Sequence, residues 1–174
     1  MCIRDRLIAF SDTNGAEFVG DPARFFKALT NILSGQVTDG LEVMEGLLAQ
    51  WQSDGCRLRR LSCGYVMARV YSIHFQSAMQ STGSPDSPQI RTMADNCIRW
   101  YRTCVSEAQH MGAQVMEGQA LLGLGNALAA LGKRVQAADL INQSIDVLAN
   151  ATASHHLEQA RSSLAELQTA NGGS

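Results

Sequence analysis

The sequence predicts an all-α chain of antiparallel helix-pair repeats closed by a C-terminal capping helix. Three observations carry this. Apolar residues recur at three-to-four spacing in one segment after another. No segment alternates at a period of two with β-branched enrichment, so almost no strand is expected. Gly35, Gly55, Gly112 and Gly132 each stand where one periodic segment stops and the next begins, as glycine does just past a helix end.

Each helix has its own reason. Asp21-Pro22 offers a cap followed by a proline at a position that needs no N–H, so a first helix is expected from about 21 to 34. Its apolar stripe is Phe25, Phe26, Leu29, Ile32 and Leu33. A second, about 38–53, aligns Leu41, Met44, Leu47, Leu48 and Trp51. A third, about 57–79, carries Leu58, Leu61, Tyr65, Ala68, Ser72 and Phe75. The stretch Ser81 to Pro88, rich in Ser, Gly and Pro, reads as a loop. A fourth helix follows at about 89–111, with Met93, Cys97, Trp100, Tyr101, Cys104 and Ala108 inward. The fifth covers about 114–131 and the sixth about 135–148. The last, about 154–168, begins at Ser154 and turns Leu157, Ala160, Leu164 and Leu167 inward, as a cap would. Helix pairs at 22–53, 57–111 and 114–148 therefore make one repeat domain over 21–169. Residues 1–20 are expected to be poorly structured and 170–174 to form a disordered tail. The opening Met1-Cys2-Ile3-Arg4-Asp5-Arg6 resembles the translation of a sequencing adaptor of the metagenomic kind, which implies a fragment of a longer chain.

Composition narrows the function. A chain of 174 residues, 45% apolar, supports one core or one repeat array. The formal net charge of −2 gives no field that would draw nucleic acid or an anionic membrane, and neither is expected as a partner. The longest apolar runs, such as Ala127 to Leu131, are too short to span a bilayer. No apolar segment follows the N-terminal arginines as in a signal peptide, and the five cysteines form no CxxC pair. Reduced thiols and a cytoplasmic location are the resulting expectation.

Self-similarity at a fixed period appears in Gly118–Ala151, a unit of 34 residues. Leu121, Leu124, Gly125, Leu128, Gly132, Ala137, Ile141 and Ser144 match the large and small positions of the tetratricopeptide repeat, and the unit resembles that family. In such a pair, small residues let two helices approach while large ones fill the groove. The resemblance makes Gly125, Ala137 and Ile141 packing residues in this unit, and Gly64, Cys97 and Tyr101 their counterparts in the middle one. It pairs Gly125 with Ala137, and Gly64 with Cys97. The first unit keeps Ala28, Gly35, Gly40, Met44 and Leu47 but departs at Lys27 and Asn31. The resemblance also implies a concave superhelical face that takes a protein or peptide, with Tyr65, Arg69 and Asn126 as its contact residues.

A narrower likeness runs from about Pro22 to Gln168. Gly40-Leu41-Glu42, Gly46 to Trp51, Gly55 and Tyr65 to Tyr71 resemble the C-terminal helical repeats of bacterial class III adenylate/guanylate cyclases that also carry an AAA-type ATPase domain. Gly118 to Leu122, Gly132-Lys133-Arg134 and Gln159-Ala160-Arg161 resemble the ends of such chains. The likeness implies a signalling protein's regulatory tail whose partners include other domains of the parent chain. It places no cyclase site here, because the paired aspartates of the cyclase and the GxxxxGK[ST] loop are missing.

No residue set recommends chemistry. Cys97 and Cys104, and Cys56 and Cys63, are seven apart, wider than usual metal-ligand spacing, and read as small core residues. His155 and His156 are adjacent and point about 100° apart on a helix, so they read as an exposed first turn. His74 and His110 have no partner at motif spacing. Gly123-Leu124-Gly125 is too short for a dinucleotide loop and follows no strand. Arg57, Arg59 and Arg60 read as a solvated helix start, and Met44, Met67, Met93 and Met116 as core filler. No catalytic, metal or cofactor residue is therefore assigned. The expected function is a non-catalytic protein-interaction or regulatory module. The alternatives are a structural spacer or homo-oligomerisation element, and the ligand-sensing part of an ATP-binding transcriptional regulator.

Overall fold

The computed structural model describes residues 3–14, 17–82 and 87–169, and every regular element among them is an α-helix. These are α1 (Ile3–Asn14), α2 (Glu17–Leu33), α3 (Val37–Ser53), α4 (Arg57–Thr82), α5 (Pro88–Met111), α6 (Gln114–Ala130), α7 (Arg134–Asn150) and α8 (Ser154–Thr169). The all-α class is as expected, and α3 to α8 lie within three residues of their expected bounds. The heart of the Ser81–Pro88 loop, Cys2 and the tail 170–174 fall outside the described residues.

The start of the chain differs from expectation. Residues 3–14 form α1, and α2 begins at Glu17, so Asp21 is no cap. Pro22 stands inside α2, in its second turn, where its missing N–H costs one early bond rather than the helix. α1 escaped the periodicity reading because its docked face is polar. Lys27 Nζ reaches Asp5 at 2.9 Å, and Arg24 pairs with Asp12. Meanwhile Ile3 and Phe10 stay exposed.

One turn recurs between helices. Gly35, Gly55, Gly112, Gly132 and Thr152 all have positive φ. In each case the residue after it donates to a carbonyl five back, and it donates itself to one three back. Lys133 N–H to Leu128 O at 3.0 Å and Gly132 N–H to Ala129 O at 2.9 Å are one such pair. This is the 6→1 and 5→2 pattern that satisfies orphan carbonyls at a helix end. Gly112, Gly132 and Thr152 stand twenty residues apart, as do Gly35 and Gly55. The turns that bracket α6 and α7 are Gly112 and Thr152, while those that bracket α4 and α5, Gly55 and Gly112, stand farther apart because these helices run 26 and 24 residues.

The chain divides into two compact units, Met1–Cys63 and Gly64–Ser174. In the first, α1 packs on α2 and α2 on α3. Phe25, Met44, Leu48 and Trp51 are almost fully buried, with the Phe25 and Trp51 rings 5.9 Å apart. Burying each stabilises the unit by roughly 1.5–3 kcal/mol. Asp21 is buried and accepts from Arg24 at 2.6 Å, Trp51 Nε1 at 3.3 Å and Gln50 Nε2 at 3.4 Å. Phe26 and Leu33, expected inward, are 51% and 78% exposed. The strip that meets α3 is only as wide as Phe25, Ala28 and Ile32, and Phe26 lies one position round the helix, edge-on to Phe25. Leu58, at the start of α4, is likewise exposed.

In the second unit α5 packs on α6, α6 on α7, and α8 on both α7 and α6. α6 is apolar on nearly all sides because it meets three helices. A Cβ on Gly125 would stand 3.2 Å from Ala137 O and 2.7 Å from Ile141, so these helices do nest at Gly125 and Ala137 as expected. The pairing of Gly64 with Cys97 is corrected. Gly64 faces Cys104 and Trp100, and Cys97 Sγ donates to Ala68 O at 3.7 Å. The small residue opposite Cys97 is Ala68, one helical turn beyond Gly64.

Candidate functional site

Tyr65, Arg69 and Tyr101 come together between α4 and α5. The Tyr65 and Tyr101 rings meet edge to face at 6.1 Å. Tyr101 is buried, while Tyr65 is half-buried and Arg69 exposed. Burial raises both phenols above their ordinary value, and the neighbouring Arg69 charge opposes this in each case. Ser72 shares hydrogen bonds with Cys97 and Tyr101. The far side of the Tyr101 ring lies against Gly123 of α6, where a Cβ would collide with it. Gly123 and Gly125 are therefore packing positions, each admitting one side chain, Tyr101 or Ile141.

The thiols nearby are suited to packing, not attack. Burial pushes Cys97 up to about 11 and Cys63 up to about 11, the latter despite Arg59 beside it. A thiol so protonated at neutral pH is a poor nucleophile. Among the described residues no group of three or more His, Cys, Asp or Glu side chains could hold a metal ion. None of the described helices is long and apolar enough to cross a membrane.

Asn126 stands apart from the tyrosine cluster. It is half-buried on α6 and opens into a cavity of about 390 Å³. Gln76 of α4, Arg134 of α7, and Ser163 and Glu166 of α8 line the same cavity. Its apolar floor is Ala129, Ile141 and Leu167. Ser162 Oγ donates to Glu166 Oε1 at 3.2 Å and holds that carboxylate. Residues of four helices thus border one concavity, among them two carboxamides, a cation, an anion and a hydroxyl. Such a mixture suits a ligand with both amide and charged groups.

Gln76, Ser163 and Glu166 were missed in the sequence. Gln76 is two turns from Arg69 on the same exposed side of α4, so helical spacing could have found it. The α8 residues gave no such signal, because their role depends on where α8 docks. Leu167 was expected inward and Glu166 outward, and both now border the cavity.

No protein-family model matches this chain, and no curated protein matches it.

Proposed function

We propose that this chain is a non-catalytic protein-interaction module that holds an extended peptide segment in the cavity at Asn126. The observation that carries the reading is convergence. Asn126 and Gln76 are the side chains whose carboxamides pair with a peptide backbone, since each offers a donor and an acceptor together. Arg134 and Glu166 supply opposite charges that would fix the register of a bound segment.

The recurrent turns and the nesting at Gly125, Ala137 and Ile141 support a tetratricopeptide-like repeat. The likeness to cyclase-linked repeats supports a regulatory tail of a cytoplasmic signalling protein. On this reading the occupant is a segment of a partner protein or of another domain of the parent chain. Tyr65 and Arg69 then extend the contact face along α4 rather than forming a second site.

The test is selection of peptides from a displayed random library on the purified chain, with affinities measured by calorimetry. Selected peptides should lose about tenfold in affinity on Asn126→Ala, the order expected for a lost polar pair. If no peptide is selected, or those selected bind Asn126→Ala equally, the proposal fails.

A further inference from the structure

The walls of the Asn126 cavity are not equally fixed. α6 and α7, which supply Asn126, Ala129, Arg134 and Ile141, are tightly nested. A Cβ on Gly118 would stand 2.5 Å from Leu148 Cγ, and one on Gly125 2.7 Å from Ile141 Cγ1. Ser144 is buried and its Oγ donates to Gly118 O at 2.7 Å. α7 buries Ala137, Ile141, Ser144 and Leu148. Parting these two helices would open a close-packed seam and orphan a buried hydroxyl.

α8 is held differently. Of its 16 residues Ala160 alone is buried. Gln119 Nε2 of α6 lies 2.7 Å from His156 Nε2 and ties the first turn of α8 to α6. The exposed first turn expected from the sequence is therefore half right: His155 is exposed and His156 half-buried. Past Ala160 the helix is covered more thinly still. Ser163, Leu164 and Leu167 are half-buried, and Glu166 is exposed. This thinly covered half is the part that lines the cavity, through Ser163, Glu166 and Leu167. The turn leading into α8 places Thr152 in the left-handed region, with φ of 53°. A β-branched residue keeps that conformation only while its surroundings impose it, so undocking α8 relieves strain at the joint.

We propose that α8 is the moving wall of this cavity: it swings on the Thr152 turn away from α6 and α7, and the occupant holds it against them. The device rests on the reading of the cavity as a peptide site and adds how that site is gated. With so little of it buried, α8 opens at a lower free energy than α6 or α7. A peptide that touches Ser163 or Glu166 as well as Asn126 spans the moving wall and a fixed one. It therefore binds the docked state more tightly, and occupancy and docking raise one another by the same factor.

Hydrogen exchange on the full chain, followed over a series of low urea concentrations, tests the opening with no peptide present. Amides 158–169 should be at least about tenfold less protected than those in the middle of α6 and α7, with almost no dependence on urea. Thr152→Gly should raise their protection roughly fivefold, because the docked turn is no longer strained. Protection in α8 that equals that of α7 with the same urea dependence overturns the proposal, since α8 then opens only with its whole unit. Protection unmoved by Thr152→Gly overturns it too. The exchange is next read with the tightest peptide from the display selection, at about one hundred times its Kd. Protection of α8 should then rise by more than about tenfold. A peptide that depends on Asn126 yet leaves α8 exchange unchanged overturns the gate and spares the reading of the cavity. A selection that yields no peptide removes both.

Discussion

Thr152 has φ of 53°, the left-handed region, while the other four turns of its kind place glycine there. A β-branched residue is strained in that conformation. Thr152→Gly should therefore raise stability by about 1 kcal/mol, read as a higher urea midpoint at unchanged slope. Gly46 is the opposite case. It lies mid-helix in α3, and a Cβ there would meet nothing within 4 Å. Gly46→Ala should also stabilise, by roughly 0.5–1 kcal/mol, because only backbone entropy changes. Two surface substitutions of opposite chemistry then act in the same direction for separate reasons. A fall in midpoint for either would show that its environment differs from the one described.

At the scale of elements, α3, α5 and α7 share one burial register. Gly40, Met44, Leu47 and Trp51 of α3, Cys97, Tyr101, Cys104 and Ala108 of α5, and Ala137, Ile141, Ser144 and Leu148 of α7 are all buried. Each set stands at the same distances before its turn at Gly55, Gly112 or Thr152. The volumes differ, and neighbouring helices compensate. Trp51 fills in α3 what Ala108 leaves small in α5, and Tyr101 is admitted because Gly123 has no side chain. Gly123→Ala should cost about 1–3 kcal/mol by forcing the buried ring aside. In a Tyr101→Leu background the same change should cost less, and the double-mutant cycle measures the difference. Equal costs in both backgrounds would place the strain elsewhere.

For the whole molecule, the alkaline limb of stability follows from protons held in its interior. Cys63 and Cys97 rise from 9.0 to about 11, and Tyr65 and Tyr101 rise above 10.0, all chiefly through burial. Below the unfolded values these groups are neutral in both states, so their contribution is constant. As pH rises from about 9 toward about 11 the unfolded chain loses protons first, and stability falls. The urea midpoint should drop between about pH 8 and about pH 10, and Cys97→Ala should drop less than wild type. A flat profile would contradict the burial described. The linked chemistry is structural, since protonated thiols and phenols fill space without adding charge.

The sequence by itself determined the helices and their stops. Local periodicity and glycine at positive φ act within a few residues, so α3 to α8 and four of the five turns were legible, as were Gly125 against Ala137 and the buried face of α5. Tertiary structure alone decided which turn of α4 meets α5. Both Gly64 and Ala68 are small, and only the packed register selects Ala68 for Cys97. It likewise decided that α1 docks through Asp5 and Asp12 instead of an apolar stripe, and that α8 brings Ser163 and Glu166 to Asn126. Those outcomes depend on residues far apart in the chain, and a pattern read along one helix carries no information about the distance between two.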